Sequence, residues 1–390
     1  MTPHQRKIAA IVPKLLEWFA QNARDLPWRR TDDPYCVFVS EIMLQQTQVK
    51  TVVPYWERWM RSLPDVGALA EATPARLHKL WEGLGYYTRV RNMHKAARMI
   101  VEIHGGSFPS RYEDILALPG IGRYTAGAIA SIAFNQPKPV LDGNVIRVLT
   151  RLFGIDRNPR EPRINAHLWC LAEELVTEAS TLQPSATGDT AVARLISRAG
   201  PPKASPTAVT PPSPHPVSAL NQSLMELGAL VCTPRQPRCV DCPLQGLCRA
   251  RRENRVEQLP GLGVRARPTA RRVAAFVLQD GQRFLVRQRP AGVVNAHLWE
   301  FPNLDALPDD ANLRKTARRA LGFSPRSLAR LCTIRHSITR YRITLDAFRV
   351  ALRSGGKRPA GPGRWLPLTA LRRLPFASAH KRILDQLDGV

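Results

Sequence analysis

Acidic residues are scarce in this sequence, and long hydrophobic runs are absent. Asp and Glu total 31 of 390 residues against 57 Lys and Arg, so the formal net charge is +26. Such a charge favours a polyanionic partner, although a general bias towards Arg, Ala and Pro would raise it as well. No run reaches the roughly 18 apolar residues of a membrane span, and residues 1–11 lack the apolar core of a signal peptide. We therefore expect an intracellular protein without a membrane segment.

Cysteines are few, but four of the seven lie close together in the chain. Cys232, Cys239, Cys242 and Cys248 are separated by six, two and five residues. In a reducing compartment such a group is typical of a metal site rather than of disulfides. Four thiolates can hold either a zinc ion or a [4Fe–4S] cluster. Structural zinc sites more often pair two Cys-x-x-Cys units, and only one is present here.

Composition and periodicity divide the chain into domains. Residues 1–250 have a helical pattern punctuated by Pro and Gly, except for residues 181–216, which are rich in Pro, Ser and Thr. We interpret that stretch as a flexible insertion. Residues 251–272 are predicted to form a basic linker. Residues 273–390 combine strand-like alternation with two helical stretches, so the expected fold is an all-α domain followed by an α+β domain.

The segment Leu118–Ala126 reads Leu-Pro-Gly-Ile-Gly-Arg-Tyr-Thr-Ala and predicts two helices joined by a tight hairpin. Gly120 and Gly122 let backbone N–H groups approach a phosphate, and the helix beginning near Arg123 adds its dipole. An ordinary helix corner is the competing interpretation. The pattern indicates a helix-hairpin-helix motif in which Gly120, Gly122 and Arg123 could bind a phosphate of a nucleic acid backbone.

Two carboxylates accompany this motif. Glu41 begins the segment Glu-Ile-Met-Leu-Gln-Gln-Thr-Gln, and on a helix Glu41, Gln45 and Gln48 would share one face. Apolar neighbours would raise the pKa of Glu41, as a general acid needs near neutral pH; a solvated polar face is the alternative. Asp142 precedes a helical stretch, where its default role is an N-cap. Two carboxylates are also what glycosidic bond cleavage requires.

Aromatic residues flank a glycine turn in the segment Trp81–Tyr87. Tyr86 could wedge between bases where one base is extruded, since chemistry on a base requires flipping. Packing of Tyr86 or Tyr87 into a core is the competing interpretation.

Together these motifs resemble the endonuclease III superfamily of helix-hairpin-helix DNA glycosylases, and within it the adenine-specific, MutY-type branch. The likeness covers nearly the whole chain outside residues 181–216. The lyase-active branch carries a Lys where this chain has Tyr124, so a Schiff base with the sugar is not expected. Glu41 occupies the position of the glutamate that marks the adenine branch.

The resemblance implies a role for each residue of the catalytic set. Glu41 would protonate adenine at N7, and Asp142 would stabilise or trap the sugar cation. Tyr124 and Asn144 would support them. The four cysteines would hold a [4Fe–4S] cluster.

The resemblance also implies how DNA is contacted. Gln45 and Tyr86 would intercalate near 8-oxoguanine opposite the target base, with Gln46 and Gln48 as further DNA contacts. The expected partner is double-stranded DNA with adenine opposite 8-oxoguanine or guanine. We expect a monomer in a bacterial cytoplasm, associated with the nucleoid.

The C-terminal domain resembles a Nudix fold, which in this family reads the 8-oxoguanine strand. The Nudix hydrolase motif needs several Glu before its final Gly, but residues 315–321 contain no carboxylate before Gly322. A binding domain without hydrolase activity is therefore expected. Relatives often carry Phe-Ser-His on a C-terminal loop. The aligned triplet here is Ile338-Thr339-Arg340, and the Thr339 hydroxyl is predicted to contact the lesion.

Three other functions are alternatives. Tyr124 and Glu41 argue against a bifunctional pyrimidine glycosylase and lyase. A non-catalytic iron–sulfur protein that binds nucleic acid would not need Glu41 and Asp142 together. The missing carboxylates disfavour a Nudix pyrophosphohydrolase.

Overall fold

The computed structural model describes residues 1–182, 215–263, 267–305, 313–338, 340–352 and 363–387. The chain forms two compact units. The first comprises Met1–Glu71 and Asn92–Val264, and the second Ala72–Arg91 and Arg265–Val390. In the described part of the chain, no helix combines the length and the apolar character that crossing a membrane requires.

The part of the chain before residue 253 is helical where it is described. Several helices begin with proline, whose fixed φ and missing N–H suit a first turn. In chain order they are α1 (Pro3–Asn22), a 3-10 turn (Pro27–Arg29), α2 (Pro34–Leu44), α3 (Val49–Ser62), α4 (Val66–Glu71), α5 (Pro74–Leu80), α6 (Thr88–His104), α7 (Tyr112–Ala117), α8 (Arg123–Phe134), α9 (Gly143–Phe153), α10 (Pro162–Ser180), α11 (Pro216–Leu230) and α12 (Arg249–Arg252).

The core of the first unit lies among α1, α8, α9, α10 and α11. Each contributes fully buried side chains, for example Leu15, Ala128, Leu149, Leu171 and Leu224. Three of the four clustered cysteines pack against the edge of this core: Cys232, Cys242 and Cys248. The cysteine loop is therefore anchored on the helices that follow the hairpin.

The C-terminal part is a mixed sheet with helices, as predicted. Its strands are β1 (Thr269–Asp280), β2 (Arg283–Gln288), β3 (Trp299–Glu300), β4 (Asn303–Asp305), β5 (Ser327–Ile338), β6 (Tyr341–Ala351) and β7 (Arg364–Pro367); its helices are α13 (Leu313–Leu321), α14 (Leu368–Leu371) and α15 (Ser378–Asp385). The main strand order is β3-β2-β1-β6-β5, with β4 paired to β1 and β7 to β2. Strands β1 and β6 run parallel, and the other pairs are antiparallel. The predicted fold class is confirmed.

The segment Ala72–Arg91 belongs to the second unit, whereas the sequence analysis places it in the helical domain. Glu82 accepts a hydrogen bond from the backbone N–H of Phe376 (2.8 Å), and Lys79 donates to the carbonyl of Leu374 (3.2 Å). These bonds join residues almost 300 positions apart in the chain, which local sequence patterns cannot reveal.

Two sequence predictions fall outside the described residues. Thr339 is one of them, so its predicted lesion contact stays a prediction. Residues 183–214, most of the predicted insertion, are the other.

Candidate active site and cysteine loop

Glu41 is a buried acid on α2, with only 5% of its surface exposed. Its carboxylate accepts a hydrogen bond of 2.8 Å from the hydroxyl of Tyr124, on the second helix of the hairpin. The same hydroxyl lies 3.4 Å from Sδ of Met225. A carboxylate is a much stronger acceptor than a thioether, so the Tyr124 proton points to Glu41.

Burial raises the pKa of Glu41 to about 7. The negative charge of Asp142 acts in the same direction as burial, whereas the Tyr124 hydrogen bond and the charge of Arg29 act in the opposite direction. A carboxyl with such a pKa is partly protonated at neutral pH. It can therefore donate a proton to a bound group under ordinary conditions.

Asp142 is the N-cap of α9, as its position before a helix predicts. Its Oδ1 accepts from the backbone N–H groups of Asn144 (2.9 Å) and Val145 (2.8 Å), and its Oδ2 from the Asn144 side chain (2.9 Å). Burial raises the pKa of Asp142, and these hydrogen bonds oppose that increase. The carboxylate is thus held in one orientation beside Glu41, and the two acids interact electrostatically.

Hydrogen bonds continue from Asp142 to the cysteine loop. Arg147 donates to Oδ1 of Asn144 (2.7 Å), to the carbonyl of Gly228 (2.7 Å) and to the carbonyl of Cys232 (2.7 Å). The first cysteine of the loop and Asp142 are therefore connected through the half-buried side chains of Arg147 and Asn144.

The hairpin has the predicted glycine geometry. Gly120 has φ +81°, and a Cβ there would lie 2.6 Å from Cβ of Asn92, so only glycine fits. Gly122 is the N-cap of α8 and provides no side-chain hydrogen bond, which leaves N–H groups of the first turn available to a phosphate. Arg123 lies over the Trp169 ring at 4.0 Å and pairs with Glu173 at 2.6 Å.

The predicted helical face of Glu41, Gln45 and Gln48 is wrong. Helix α2 ends at Leu44, Gln45 is its C-cap, and Gln46 has φ +57°. Gln48 is already the N-cap of α3. A left-handed residue breaks the helical repeat, so the glutamines lie on a turn. Among them, Gln45 donates to the Thr125 hydroxyl at 3.4 Å.

Tyr86 and Tyr87 have separate environments within the second unit. Tyr87 is buried (3% exposed), whereas Tyr86 is 42% exposed and has φ +47°. The Arg89 guanidinium lies over the rings of Trp81 (5.2 Å) and Tyr86 (5.7 Å) and donates to the carbonyl of Gly85. Core packing therefore holds for Tyr87, and Tyr86 presents its ring to solvent.

The four loop cysteines are free thiols of intermediate exposure. Burial, together with the charges of the other three cysteines, raises the pKa of Cys242 to about 12. Buried Arg151 donates to the carbonyl of Thr233 (2.7 Å) and to Sγ of Cys232 (3.4 Å). The loop thus gathers four soft ligands beside a buried cation, which suits an anionic iron–sulfur cluster once the thiols are deprotonated.

In the described ranges, no group of three or more His, Cys, Asp and Glu side chains is placed so that it could hold one metal ion.

Known protein families and a known relative match this chain over most of its length. Residues 39–174 match the family model for the HhH-GPD superfamily base excision DNA repair protein, residues 232–248 the iron-sulfur binding domain of endonuclease III, and residues 273–386 the NUDIX domain. The adenine DNA glycosylase of Rattus norvegicus is 34% identical over 437 residues, covering 96% of this chain and 77% of that protein. The chain belongs to the adenine DNA glycosylase family.

Further relatives agree with this family. The adenine DNA glycosylase of Homo sapiens is 33% identical and covers 98% of this chain and 75% of its own length. A solved structure of a thermostable thymine-DNA glycosylase has a TM-score of 0.51 and 25% identity, covering 65% of this chain and 100% of that one. The predictions of a base excision repair glycosylase with an iron–sulfur motif and a Nudix domain are confirmed.

We expect this adenine DNA glycosylase family member to be isolated with iron rather than zinc. The holoprotein should be yellow-brown and absorb near about 400 nm, because thiolate-to-iron charge transfer colours such clusters. Replacing Cys242 by serine should abolish the absorbance, whereas Cys170→Ser, at an exposed cysteine outside the loop, should retain it. Stoichiometric zinc in a fresh anaerobic preparation would contradict the assignment.

Sequence analysis missed a buried ion pair behind the acid pair. Glu226 on α11 is 1% exposed and accepts from Nε and Nη2 of Arg24 (both 2.7 Å) and from Nη2 of Arg29 (3.0 Å). The neighbouring Met225 contacts Tyr124. A single acid in the otherwise apolar stretch Leu224–Leu230 was the signal available, since acids are rarely buried unless they are paired.

Proposed function

We propose that this glycosylase hydrolyses adenine from duplex DNA where it is mispaired with 8-oxoguanine or guanine. The observation that carries the proposal is the acid pair: buried Glu41, bonded to Tyr124, beside an Asp142 fixed by three hydrogen bonds. The two carboxyls have different environments, which suits one to give a proton and the other to stay ionised.

The proposed reaction divides the work between these two acids. Protonated Glu41 donates its proton to N7 of the flipped adenine, and the C1′–N9 bond breaks with its electron pair leaving on the base. The Asp142 carboxylate stabilises the resulting sugar cation. Water then adds at C1′ and loses a proton, which leaves an abasic site and free adenine. Tyr124 and Asn144 hold the two carboxyls in place.

We propose two kinds of DNA contact, one to the backbone and one to the bases. Gly120, Gly122 and Arg123 would bind the backbone at the N-terminus of α8, where N–H groups and the helix dipole favour a phosphate. Gln45, Gln46, Gln48 and exposed Tyr86 would contact bases near the extruded adenine. We further propose that the protein acts as a monomer and is associated with the nucleoid.

The test is single-turnover incubation of the holoprotein with matched duplexes. Adenine opposite 8-oxoguanine or guanine should be released, while adenine opposite thymine and oxidised pyrimidines should remain intact. Release of oxidised pyrimidines with strand cleavage would favour the bifunctional alternative. Tight binding without release of any base would favour a non-catalytic binding protein.

Excision should slow as the pH rises through about 7. The reason is that Glu41 must be protonated to act as the acid, and its carboxyl loses its proton near that pH. Tyr124→Phe removes a hydrogen bond that lowers the pKa of Glu41, so the excision rate of this variant should decline at a higher pH than that of the wild type. Single-turnover rates of both proteins across the pH range measure where each rate declines. A flat alkaline profile for the wild type would contradict the role of Glu41.

The reaction should leave an intact abasic strand. Tyr124 replaces the lysine of the lyase branch, and its phenol cannot form a Schiff base with C1′. Borohydride added during turnover should therefore trap no stoichiometric protein–DNA adduct. The Tyr124→Lys variant is the matched control, since it restores an amine at this position and should give a trapped adduct if the DNA sugar lies within reach.

A further inference from the structure

Tyr86 stands in a tight turn and has an unfavourable backbone conformation. Its φ of +47° lies in the left-handed region, which costs free energy for a residue with a bulky side chain. Gly83 (φ +105°) and Gly85 (φ +70°) precede it, and glycine adopts positive φ without that cost. A tyrosine held in such a conformation needs neighbouring groups that fix the turn around it.

Arg89, in the first turn of α6, forms hydrogen bonds along this turn. Its Nη2 donates to the carbonyl oxygens of Leu84 (3.0 Å) and Gly85 (3.1 Å). Its backbone N–H donates to the carbonyl of Tyr86 (2.9 Å). The indole N–H of Trp81 donates to the same Gly85 carbonyl (2.9 Å). The two carbonyls before Tyr86 are therefore held by side chains.

The Arg89 guanidinium also contacts the Tyr86 ring itself. Its central carbon lies 5.7 Å from the centre of that ring and 5.2 Å from the ring of Trp81. A cation at such a distance is attracted to the face of an aromatic ring. Trp81 is fully buried, whereas Tyr86 is 42% exposed. The guanidinium therefore links the exposed ring to a buried one.

The location of Arg89 is unfavourable for its own charge. The side chain is buried, and burial lowers the pKa of Arg89 to about 10, which still leaves it protonated at neutral pH. The first turn of a helix also disfavours a cation, because the helix dipole is positive at that end. The contacts with the two carbonyls and the two rings must therefore compensate for both effects, so the side chain is tied to the turn that carries Tyr86.

We propose that Arg89 is a positioning residue that fixes the Tyr86 ring before DNA binds, so that the ring enters the base stack without first changing its conformation. This inference rests on the base contact of Tyr86 proposed above. Arg89 contacts no base in this scheme and acts through Tyr86, by reducing the ordering that binding would otherwise require. Lysine keeps the charge but lacks the planar fork that holds the carbonyls and lies over the rings.

The test is a double-mutant cycle in the full holoprotein, with Arg89→Lys, Tyr86→Ala and the variant that combines them. Arg98→Lys is the matched control, since Arg98 lies on the same helix but donates to the carbonyl of Ala70 (3.3 Å). The duplex carries 2-aminopurine, paired with thymine, next to the 8-oxoguanine opposite adenine. The fluorescence of this base rises when it loses stacking, so it reports entry of the ring. Single-turnover excision is measured on the same duplex.

Tyr86→Ala should abolish the fluorescence rise that accompanies wild-type binding. Arg89→Lys should reduce this rise and slow excision roughly three- to tenfold, the effect of losing about one hydrogen bond, whereas Arg98→Lys should change neither. The double variant should be no slower than Tyr86→Ala, because Arg89 acts through that ring.

Additive losses in the double variant would overturn the proposal, as would wild-type fluorescence in Arg89→Lys or in Tyr86→Ala. Folding is checked by cluster absorbance and thermal unfolding. If Arg89→Lys does not fold, Trp81→Phe takes its place in the cycle, since it removes the N–H bond to Gly85 and keeps an aromatic ring. If the wild type excises no adenine, the proposed function fails, while the fluorescence comparison still decides whether Arg89 positions Tyr86.

Discussion

Replacing Glu41 by glutamine should lower the single-turnover rate of adenine excision by at least about a hundredfold, because general acid catalysis contributes about 10² to 10⁴. The amide keeps the size of the side chain and can still accept the Tyr124 hydrogen bond, so the pocket should be preserved. What it lacks is the proton that the leaving adenine needs. The measurement is product formation with adenine opposite 8-oxoguanine, at saturating enzyme.

The control for this prediction is Glu57→Gln, which removes an exposed carboxylate from the neighbouring α3. It should excise at the wild-type rate. Both variants should bind the duplex as tightly as the wild type. Substantial excision by Glu41→Gln would show that another group protonates the base.

The same substitution should stabilise the protein at alkaline pH. The pKa of Glu41 is about 7 in the fold against an ordinary 4.5, so ionisation opposes folding as the pH rises between these values. Above about pH 7 this cost is on the order of 3 kcal/mol, and it vanishes below the ordinary pKa. Urea unfolding of wild type and Glu41→Gln at acidic and alkaline pH measures it. Equal free energies of unfolding for the wild type and Glu41→Gln at alkaline pH would indicate that burial does not disfavour the ionised form of Glu41.

Replacing Glu226 by glutamine should destabilise the first unit by about 3 to 5 kcal/mol, since it leaves two arginines without their shared counter-ion in a buried site. Arg24 and Arg29 donate four hydrogen bonds to this carboxylate, one of them from the backbone of Arg24. An amide oxygen can accept some of these bonds but offers no charge. Urea unfolding of the holoprotein near neutral pH measures the loss.

The pH dependence of this destabilisation distinguishes the contribution of the ion pair from that of side-chain packing. Hydrogen bonds and charges from Arg24 and Arg29 outweigh burial and lower the pKa of Glu226 to about 2. Its contribution is therefore complete above the ordinary pKa of 4.5 and is lost as the pH falls through 4.5 towards 2. The difference between wild type and Glu226→Gln should shrink over that range. Glu174→Gln, in an exposed pair with His4, should cost little at any pH. A pH-independent loss in Glu226→Gln would assign it to packing alone.

Local patterns predicted several parts of this protein correctly. The glycines of the hairpin, the N-cap at Asp142 and the strands of the Nudix domain depend on hydrogen bonds and backbone angles within a few residues, which residue type and spacing reveal. The cysteine spacing indicated a ligand loop for the same reason. The resemblance of these ordered motifs to one glycosylase branch then supplied the expected activity.

Local patterns did not predict features of the structure that depend on contacts between distant segments of the chain. Helical spacing placed Glu41 and the glutamines on one face, but the chain turns at Gln46 and ends the helix first. The segment Ala72–Arg91 reads as helical, yet its hydrogen bonds to Leu374 and Phe376 group it with the C-terminal unit. Neither feature is encoded in the periodicity of the segment itself.

The sequence by itself indicated a helical part followed by a part with strands, a cluster of four cysteines, the glycine hairpin and two candidate acids. Only the tertiary structure decided what those acids can do. Glu41 meets Tyr124 across 83 residues of chain, and Glu226 meets Arg24 across 202. Burial and neighbouring charge come from such distant contacts, and they alone raise one carboxyl pKa to about 7 and lower another to about 2.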